Sequence, residues 1–314
     1  MKKKIKKAAL WTVAALFVVG NVIAYNHAYR FTHFKENDSA RTQRPEKLSL
    51  GEKLNTLLLG INIPKPKNEA LPTRPFETLK IESQESLEAW RISITESKGI
   101  LLMFHGYCSS KSGLLAYSEE FNQKGYSTVL VDFMGSGGST GHTTTVGYKE
   151  SRDVKEAYEY VKAGPLETPL ILFGSSMGAV AIMKAIADYD MQPEKIIIEC
   201  PFGSMLETTK SRFRAMNLPP SPLAEVLLFY GGLATGFNPF GHQPTEYAKQ
   251  IEVPTLLLYG AKDKRVSREE IDEIYDNLSG EKELVVLENS EHEVYLNDDR
   301  ERWNQEIDDF LNGK

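Results

Sequence analysis

Short apolar runs recur along the carboxyl-terminal two thirds of the chain, and amphipathic segments separate them. Each run is about five residues long and rich in Val, Ile and Leu, which is typical of strands buried on both faces. The six runs are Ile100–Phe104, Thr128–Phe133, Leu170–Phe173, Lys195–Glu199, Thr255–Tyr259 and Leu284–Leu287. An alternating run at Leu87–Ile94 predicts a further strand at an edge of the sheet.

The amphipathic segments have the spacing of helices that pack one face against a core. They lie at roughly 112–124, 147–163, 177–189, 267–278 and 295–312. Strands that alternate with helices predict the α/β class, with a mainly parallel sheet and helices on both faces. Functional residues in such sheets follow the carboxyl ends of the strands, so these positions are the first candidates for a site.

One interval between predicted strands is too long for a simple crossover helix. Nearly fifty residues separate Glu199 from Val253. We expect a helical lid insert at about 202–250 that caps the site. Ser221–Pro222 reads as the N-cap and first residue of a lid helix that ends at Gly231–Gly232. The apolar side chains of this insert either form an acyl-binding pocket or pack on the core, and the sequence leaves both possibilities open.

The amino terminus has the pattern of a membrane-targeting segment. Five lysines within residues 2–7 precede a 17-residue stretch without charge, Ala8–Ala24. A helix of this length spans roughly 26 Å, close to the thickness of a hydrocarbon core. Residues 1–25 are therefore either an uncleaved signal anchor with a cytoplasmic amino terminus or a cleaved signal peptide. Both alternatives place the main domain outside the cytoplasm: membrane-anchored in the first case, secreted or periplasmic in the second.

The rest of the chain divides by composition and charge. Residues 26–75 are polar and proline-rich, and predict a stalk and linker, whereas 76–314 form the main domain. The net charge of -6 combines +7 in residues 1–44 with -13 in the remainder. An acidic main domain argues against nucleic acid as a partner. The composition does not indicate an oligomeric state.

Neither a metal nor a cofactor is expected from the motifs. The glycines at Gly135–Gly138 lack the third glycine of a dinucleotide-binding loop, because Thr140 stands in its place. His292 and Glu293 do not continue into a zinc-binding H-E-x-x-H pattern. The two cysteines, Cys108 and Cys200, are too few for a disulfide framework, and we expect free buried thiols.

A G-x-S-x-G sequence directly follows one of the predicted buried strands. Gly174, Ser176 and Gly178 lie between that strand and an alanine-rich helix. A strand that turns at once into a helix crowds the backbone on either side of the serine, and glycine relieves this crowding. The turn is expected to raise Ser176 above the sheet as a nucleophile.

A serine needs a base, and two later strand ends supply the remaining members of a catalytic triad. Asp263 follows the strand at Thr255–Tyr259, and His292 follows the strand at Leu284–Leu287, in the order serine, acid, histidine. We expect His292 to move the proton and Asp263 to fix the imidazole. Glu199, which ends another strand, is an alternative acid.

The negative oxygen that forms during acyl transfer needs hydrogen-bond donors. The main-chain N–H of Met177 is one candidate, because it directly follows the nucleophile at a helix amino end. The N–H of Tyr107 is the other, since it lies in the loop after the strand at Ile100–Phe104. His105 in the same loop is expected to be a structural hydrogen-bonding residue.

Three motifs together resemble the α/β-hydrolase superfamily over about residues 76–314. They are His105-Gly106, the D-x-x-G-x-G-x-S pattern from Asp132 to Ser139, and Gly174 to Gly178. They look most like the serine aminopeptidase-like and monoacylglycerol-lipase-like branch, although Met134 stands where that branch usually has arginine. The resemblance implies an α/β-hydrolase fold with an eight-stranded, mainly parallel sheet. It also implies hydrolysis through an acyl-enzyme without a cofactor.

These observations predict a serine hydrolase of acyl esters or thioesters with apolar acyl chains near a membrane. A serine aminopeptidase or other amide hydrolase is the alternative, and a non-catalytic binding protein on a hydrolase scaffold is a further one. A charged substrate is not favoured, because the basic residues of the insert, Lys210, Arg212 and Arg214, are expected to face water. Activity should need neutral His292 and fall as the pH drops through roughly 6–7.

Overall fold

A computed structural model describes residues 2–36, 41–42, 49–164, 168–292 and 295–313. Within these ranges, eight strands form one sheet in the order β1-β2-β4-β3-β5-β6-β7-β8. The strands are β1 Glu77–Glu82, β2 Ser86–Ile92, β3 Ile100–Phe104, β4 Ser127–Val131, β5 Leu170–Ser175, β6 Lys195–Glu199, β7 Thr255–Gly260 and β8 Lys282–Leu287. Strand β2 is antiparallel to both of its neighbours, and the other pairs are parallel. The predicted mainly parallel eight-stranded sheet is confirmed.

The edge of the sheet differs from the sequence-based expectation. The run at Leu87–Ile94 was expected at an edge, but β2 pairs on both sides, with β1 outside it. The apolar pattern does not reveal β1, because only Leu79 and Ile81 of this strand are buried. Its four remaining residues are exposed, as an edge strand permits.

Helices cover both faces of the sheet. The helices of the described residues are α1 Lys2–Thr32, α2 Leu50–Leu59, α3 Leu115–Gln123, α4 Glu150–Lys162, α5 Met177–Tyr189, α6 Met205–Ala215, α7 Leu223–Thr235, α8 Pro244–Ala248, α9 Arg268–Asn277, α10 Tyr295–Asp298 and α11 Arg300–Asn312. The segment predicted as one helix at 295–312 is divided into α10 and α11. Asp299 interrupts it and caps α11, accepting a hydrogen bond from the N–H of Arg302 at 3.3 Å.

The hydrophobic core has two parts, one on each face of the sheet. On one face, Val180 of α5 and Ile271 of α9 belong to a cluster that includes Leu257 of the sheet. On the other face, Tyr117 of α3 and Trp303 of α11 pack with inward residues of the same strands. The two faces hold the strand ends rigidly, which is the condition for precise placement of side chains that follow them.

Helix α1 extends beyond the predicted apolar segment. It is the one helix of the described ranges that is long and apolar enough to cross a membrane, with a mean hydropathy of 1.9. The helix continues through the boundary that the sequence placed at residue 25. Ala28, near its carboxyl end, and Phe34, just beyond it, are buried against the main domain. Described parts of the segment predicted as a stalk therefore lie on the domain, including a bridge between His33 and Thr143.

The insert between β6 and β7 contains α6, α7 and α8, and its first two helices meet α1. Helix α7 runs beside α1, whereas α8 packs on α5 and α9. Helix α7 was expected to end at Gly231–Gly232, but it continues to Thr235. Gly232 allows close packing instead, because a Cβ there would lie 2.8 Å from the carbonyl oxygen of Phe237.

Candidate active site

The strand-to-helix turn places Ser176 between β5 and α5 in a strained conformation. Its φ of 51° and ψ of -110° lie outside the regions that ordinary side chains favour. A Cβ at Gly174 would lie 2.6 Å from the carbonyl carbon of Gly178, and a Cβ at Gly178 would collide with the carbonyl oxygen of Phe104. Both glycines are therefore needed for the turn that presents the Ser176 hydroxyl.

The structure brings together the three residues that the sequence proposed as a triad. Ser176 Oγ lies 3.0 Å from His292 Nε2, and His292 Nδ1 lies 2.6 Å from Asp263 Oδ2. The side chain of Asp263 is fully buried and that of His292 is 12% exposed. The other carboxylate oxygen of Asp263 accepts hydrogen bonds from the N–H groups of Arg265 and Val266, at 2.7 and 3.1 Å. These bonds fix the carboxylate in the orientation that the imidazole needs.

The surroundings of His292 favour its protonated form. Burial alone lowers the pKa of the imidazole, but contacts with Cys200 and the Asp263 carboxylate outweigh burial, and the net pKa lies above the ordinary value of 6.5. The sequence placed the loss of activity at about pH 6–7. The structure moves the expected loss toward higher pH.

Glu199, the alternative acid, lies at the end of β6 but binds other partners. Its carboxyl group accepts hydrogen bonds from the Tyr117 hydroxyl at 2.6 Å and from Trp303 Nε1 at 2.7 Å. Burial raises the pKa of Glu199 to about 7, although both hydrogen bonds oppose this rise. Because Asp263 occupies His292 Nδ1, the alternative triad with Glu199 is not formed.

The two expected oxyanion donors flank Ser176. Met177 is the first residue of α5, and Tyr107 follows Gly106 in the loop after β3. A Cβ at Gly106 would lie 3.7 Å from the Ser176 Cβ, so this loop runs against the turn. Within the described part of the chain, the N–H groups of Met177 and Tyr107 have no protein acceptor. Both donors are therefore available to a substrate oxygen.

His105 supports this loop from the core. Its Nε2 accepts a hydrogen bond from the N–H of Phe133 at 3.2 Å, and its Nδ1 lies 2.8 Å from the Gly106 carbonyl oxygen. The ring is fully buried, and burial lowers its pKa. These contacts agree with the structural role expected for His105.

The fold and site can be compared with known proteins. The Pyrococcus furiosus esterase Pf2001 aligns with a TM-score of 0.65 at 20% identity, covering 90% of this chain and 98% of the esterase. Est1E from Butyrivibrio proteoclasticus, solved with ferulic acid bound, aligns with a TM-score of 0.59 at 17% identity, covering 74% and 97% of the two chains. The chain has the α/β-hydrolase fold. The fold implied by the resemblance of the sequence motifs is thereby confirmed.

Sequence comparison points to the same superfamily. A family model described as serine aminopeptidase, S33, matches residues 95–227 of this chain, which include Ser176 but not Asp263 or His292. An uncharacterised Bacillus subtilis protein, YqkD, is 26% identical over 72% of this chain and 75% of its own length. The lysophosphatidylserine lipase ABHD12 of Xenopus tropicalis is 22% identical over 61% of this chain. The match covers 50% of that lipase, so the chain spans about half of its length.

An ion network that the sequence did not reveal holds the D-x-x-G-x-G-x-S loop. Buried Asp132 accepts a 2.7 Å hydrogen bond from the N–H of Lys111 and pairs with the Lys111 ammonium group. That ammonium group also binds Glu88 at 2.8 Å. Gly137 leaves room for this network, since a Cβ there would collide with the Asp132 carboxylate. Met134, at the position where the branch usually has arginine, is buried.

Helix α1 and the insert contribute a further group of contacts beside the oxyanion loop. The Tyr107 hydroxyl donates to the carbonyl oxygen of Phe31 at 2.7 Å, and the rings of these residues stack at 4.7 Å. The Arg212 guanidinium lies 4.5 Å from the centre of the Phe31 ring and 5.6 Å from that of Tyr107. We call Phe31, Tyr107 and Arg212 the entrance wall. No motif indicated it, because its members lie far apart in sequence.

The basic residues of α6 behave differently from the expectation. Lys210 and Arg214 both bind Glu207, at 2.9 and 3.2 Å. Arg212 does not face water as the sequence predicted, since it is half-buried over two aromatic rings. The expectation was wrong because helical periodicity alone does not show that α1 packs next to α6.

The two cysteines are free thiols in this structure. Cys200 is buried, and its contact with His292 contributes to the raised pKa of the imidazole. Cys108 is partly exposed rather than buried as expected. Burial raises the pKa of the Cys108 thiol, although the positive charges of Arg41 and Arg212 oppose this rise.

Proposed function

We propose that this chain is a serine hydrolase that cleaves an acyl ester or thioester through an acyl-enzyme intermediate. The observation that carries the proposal is the hydrogen-bonded series Ser176–His292–Asp263 at a strained turn. A serine hydroxyl is a weak nucleophile at its ordinary pKa, and a histidine at 3.0 Å is in position to remove its proton.

Acylation follows from this geometry. His292 Nε2 takes the hydroxyl proton as Ser176 Oγ attacks the substrate carbonyl carbon, and the bond to the carbonyl oxygen loses its double-bond character. The N–H groups of Met177 and Tyr107 stabilise the resulting oxyanion. Asp263 stabilises the imidazolium, which then protonates the departing alcohol or thiol. The acyl group remains on Ser176.

Deacylation repeats these steps with water as the nucleophile. His292 removes a proton from water, and the hydroxide attacks the acyl carbon of the Ser176 ester. The same two N–H groups hold the second oxyanion. Its collapse returns the proton to Ser176 Oγ and releases the carboxylic acid, so no cofactor is consumed.

The surroundings of the site support an apolar acyl substrate near a membrane. Helix α7 lies beside α1, and Phe229 and Leu233 of α7 are 54% and 63% exposed. We propose that α6 and α7 act as a lid and that α1 anchors the enzyme, with the catalytic domain on the extracytoplasmic side. The activities named for the similar proteins, lysophosphatidylserine lipase and esterase, agree with ester hydrolysis.

A serine aminopeptidase is the second candidate, because the matching family model carries that description. Such an enzyme must hold the positively charged amino group of a peptide beside the scissile bond. The charged side chain of the entrance wall is instead a guanidinium, that of Arg212, which would repel this amino group. The charge of the wall therefore favours the esterase.

The test uses the full chain in neutral detergent, because Phe31 of α1 forms part of the site. Nitrophenyl esters from acetyl to palmitoyl would be compared with an aminoacyl-nitroanilide. The Ser176→Ala variant should lower kcat on the esters by about 10⁴-fold or more. Ser175→Ala is the matched control and should keep the activity, since the hydroxyl of Ser175 does not contact His292.

Other results would favour a function other than ester hydrolysis. Turnover of the nitroanilide alone would make the enzyme a peptidase. Absence of any turnover, together with absence of fluorophosphonate labelling at Ser176, would favour a non-catalytic binding protein. Labelling that disappears in Ser176→Ala but persists in Ser175→Ala would identify the nucleophile independently of the substrate chosen.

A further inference from the structure

Helix α7 carries an apolar stripe on its exposed side. The stripe consists of Leu223, Val226, Phe229 and Leu233. These residues recur every three or four positions, so their side chains lie on one side of the helix. Each is at least 37% exposed, whereas Ala224 and Leu228 on the other side are buried. The side of α7 that points away from the domain is therefore apolar, which is typical of a surface that contacts another apolar surface.

Helix α2 carries a second exposed stripe. The stripe consists of Leu50, Leu54 and Leu58. These residues are four positions apart and lie between 49% and 86% exposed. All the side chains of residues 50–55 are exposed, so the domain does not cover this part of the helix. A capping box formed by Ser49 and Glu52 stabilises its amino end. Helix α2 is therefore a capped amphipathic helix with an uncovered apolar side.

Both helices are attached to α1 through asparagine side chains. The Tyr230 hydroxyl of α7 donates a hydrogen bond to Asn21 Oδ1 at 2.6 Å. Asn26 Nδ2 donates to the carbonyl oxygen of Leu59, the last residue of α2, at 2.6 Å. The Asn21 amide group also donates to the carbonyl oxygen of Phe17 at 2.6 Å, so this polar side chain is satisfied within an apolar stretch. Both attachments lie in the carboxyl-terminal half of α1.

The positions of the two asparagines along α1 give the depth of these attachments in a bilayer. Lys7 stays at the cytoplasmic surface, because a charge in hydrocarbon is costly, so the hydrocarbon core begins near Ala8. At 1.5 Å per residue, Asn21 and Asn26 lie about 20 and 27 Å further along the helix. A hydrocarbon core is about 30 Å thick. Both attachments therefore fall within the extracytoplasmic leaflet of a bilayer that α1 crosses.

The charges and aromatic side chains of α1 agree with this depth. The sequence contains no Lys, Arg, Asp or Glu between Lys7 and Arg30, which corresponds to a helical length of about 33 Å. Tyr25 and Tyr29 are exposed near the end of this length, and the Tyr230 ring packs edge-on against Tyr25. Tyrosine is enriched where the hydrocarbon meets the headgroups. The apolar stripes of α2 and α7 are thus attached just inside this boundary.

We propose that the apolar stripes of α2 and α7 insert into the extracytoplasmic leaflet of the membrane that α1 crosses. The occupant of both stripes is the lipid itself, and three helices hold the domain on the membrane instead of one. The inference rests on the anchoring by α1 in the proposed function and goes beyond it, since one spanning helix does not determine which side of a domain faces the lipid. Helices with one apolar side enter this level of a bilayer by about 5–10 Å.

Insertion of both stripes determines the orientation of the catalytic domain. Phe31 lies two residues beyond Tyr29 on α1, and its ring stacks on Tyr107 in the loop after β3. The loop that carries one proposed oxyanion donor is therefore held next to the lipid surface. An acyl ester would approach this side of the domain from the leaflet.

The experiment measures quenching of tryptophan fluorescence by brominated phosphatidylcholine, with the full chain reconstituted in phosphatidylcholine vesicles. The chain has three tryptophans, and two of them, Trp90 and Trp303, are buried in the domain. Trp11→Phe therefore gives a background that brominated lipid should not quench. In this background, Phe229→Trp reports on α7 and Leu54→Trp reports on α2. Circular dichroism of each variant shows that it is folded.

The matched control is Tyr189→Trp in the same background. Tyr189 is exposed at the carboxyl end of α5, whereas Ser176 lies at the amino end of that helix, so the control lies at the opposite edge of the sheet. Phe229→Trp and Leu54→Trp should be quenched, and bromines near the headgroup end of the acyl chains should quench them about twofold more than bromines near the methyl end. Tyr189→Trp should not be quenched by either lipid.

Three results would overturn the inference. Phe229→Trp and Leu54→Trp could both resist quenching by lipid, as the control does. Quenching at one of the two helices would remove the other from the proposed surface. Protection of both positions from brominated lipid and also from aqueous acrylamide would show that a second copy of the chain covers the stripes.

Failure of the inference differs from failure of the proposed function. Trp11 is 74% exposed in the apolar part of α1, so the wild type should be quenched by brominated lipid and Trp11→Phe should not. Quenching of Trp11 without quenching in Phe229→Trp and Leu54→Trp leaves the anchor intact and rejects the insertion. Absence of quenching at Trp11 contradicts the anchor itself, and fluorophosphonate labelling of Ser176 tests the hydrolase independently of both.

Discussion

The triad and the entrance wall lie side by side but are built in different ways. Ser176, Asp263 and His292 follow β5, β7 and β8, strands of one sheet whose register fixes their separation. Phe31 and Arg212 come from helices α1 and α6, which lie outside the sheet. In the sequence, one precedes and the other follows the G-x-S-x-G motif. The triad thus depends on sheet topology, whereas the wall depends on how α1 and α6 pack.

This difference separates the chemistry from the choice of substrate. In the proposed mechanism, the residues at the strand ends are the nucleophile, the base and the acid, which act on any reachable acyl carbon. The wall supplies aromatic faces and a positive charge beside the loop that carries Tyr107, and we expect it to influence which substrates are accepted. Substitutions in the triad should abolish the turnover of all substrates. Substitutions in the wall should change the rates for different substrates by different factors.

The largest effect is expected for Asp263→Asn, with Glu199→Gln as the matched control at the other candidate acid. Loss of the Asp263 carboxylate leaves the wrong imidazole tautomer and should lower kcat by about 10⁴-fold. Glu199→Gln should keep kcat within a few-fold, because Glu199 binds Tyr117 and Trp303 and not His292. Ester hydrolysis by each purified variant measures both effects. Comparable losses in the two variants would contradict the assignment of the acid.

The pH dependence of activity tests whether the Asp263 carboxylate acts on the His292 imidazole. In the proposed mechanism, activity requires neutral His292. The folded-state pKa of His292 is raised above 6.5, so kcat/KM should fall as the pH drops through a value above 6.5. Asp263→Asn removes one group that raises this pKa, and the fall should move to lower pH in the residual activity. A profile that is unchanged in the variant would show that Asp263 does not act on the imidazole.

The sequence was sufficient to predict that Ser176, Asp263 and His292 meet, because each follows the carboxyl end of a strand. Short apolar runs locate β5, β7 and β8, and the order serine, acid, histidine restricts the candidates to three residues. The order of these parallel strands in the sheet then brings the three side chains together. The same reasoning failed for β1, whose exposed edge carries only two buried side chains.

The entrance wall could not be predicted in this way. The contact between Phe31 and Tyr107 joins residues that are 76 positions apart, and neither lies in a periodic pattern that specifies its partner. From composition alone, residue 31 falls in a predicted polar stalk. Composition does not show whether such a segment packs on the domain. The side-chain direction of Arg212 likewise depends on the position of α1.

A substitution in the wall should have an intermediate effect. Phe31→Ala removes the ring that stacks on Tyr107 and on Arg212, and small displacements of an oxyanion donor are costly. We expect kcat on a neutral nitrophenyl ester to fall by about 5- to 50-fold. The matched control is Phe17→Ala, since Phe17 lies on the same helix but is exposed.

The two variants of α1 test whether this helix, which we propose as a membrane anchor, also supports the loop that carries Tyr107. Equal activity of Phe31→Ala and Phe17→Ala would show that the loop after β3 holds its position without the Phe31 ring. A selective loss in Phe31→Ala, with both proteins folded to the same extent by circular dichroism, would show that the juxtamembrane end of the helix supports catalysis.

The smallest effect is expected where α7 meets the apolar part of α1. The Tyr230 hydroxyl donates to Asn21 Oδ1 at 2.6 Å, and the Tyr230 ring packs edge-on against Tyr25. Tyr230→Phe keeps the ring contact and removes the hydrogen bond, which should lower the free energy of unfolding by about 0.5–1.5 kcal/mol. The midpoint of thermal unfolding in detergent should decrease by about 1–4 °C.

Tyr29→Phe is the matched control for this hydrogen bond, because the Tyr29 hydroxyl has no hydrogen-bond partner among the described residues. A midpoint lowered in Tyr230→Phe but not in Tyr29→Phe would show that α7 is fastened to α1 through Asn21. If both midpoints equal that of the wild type, apolar packing alone holds α7 beside α1.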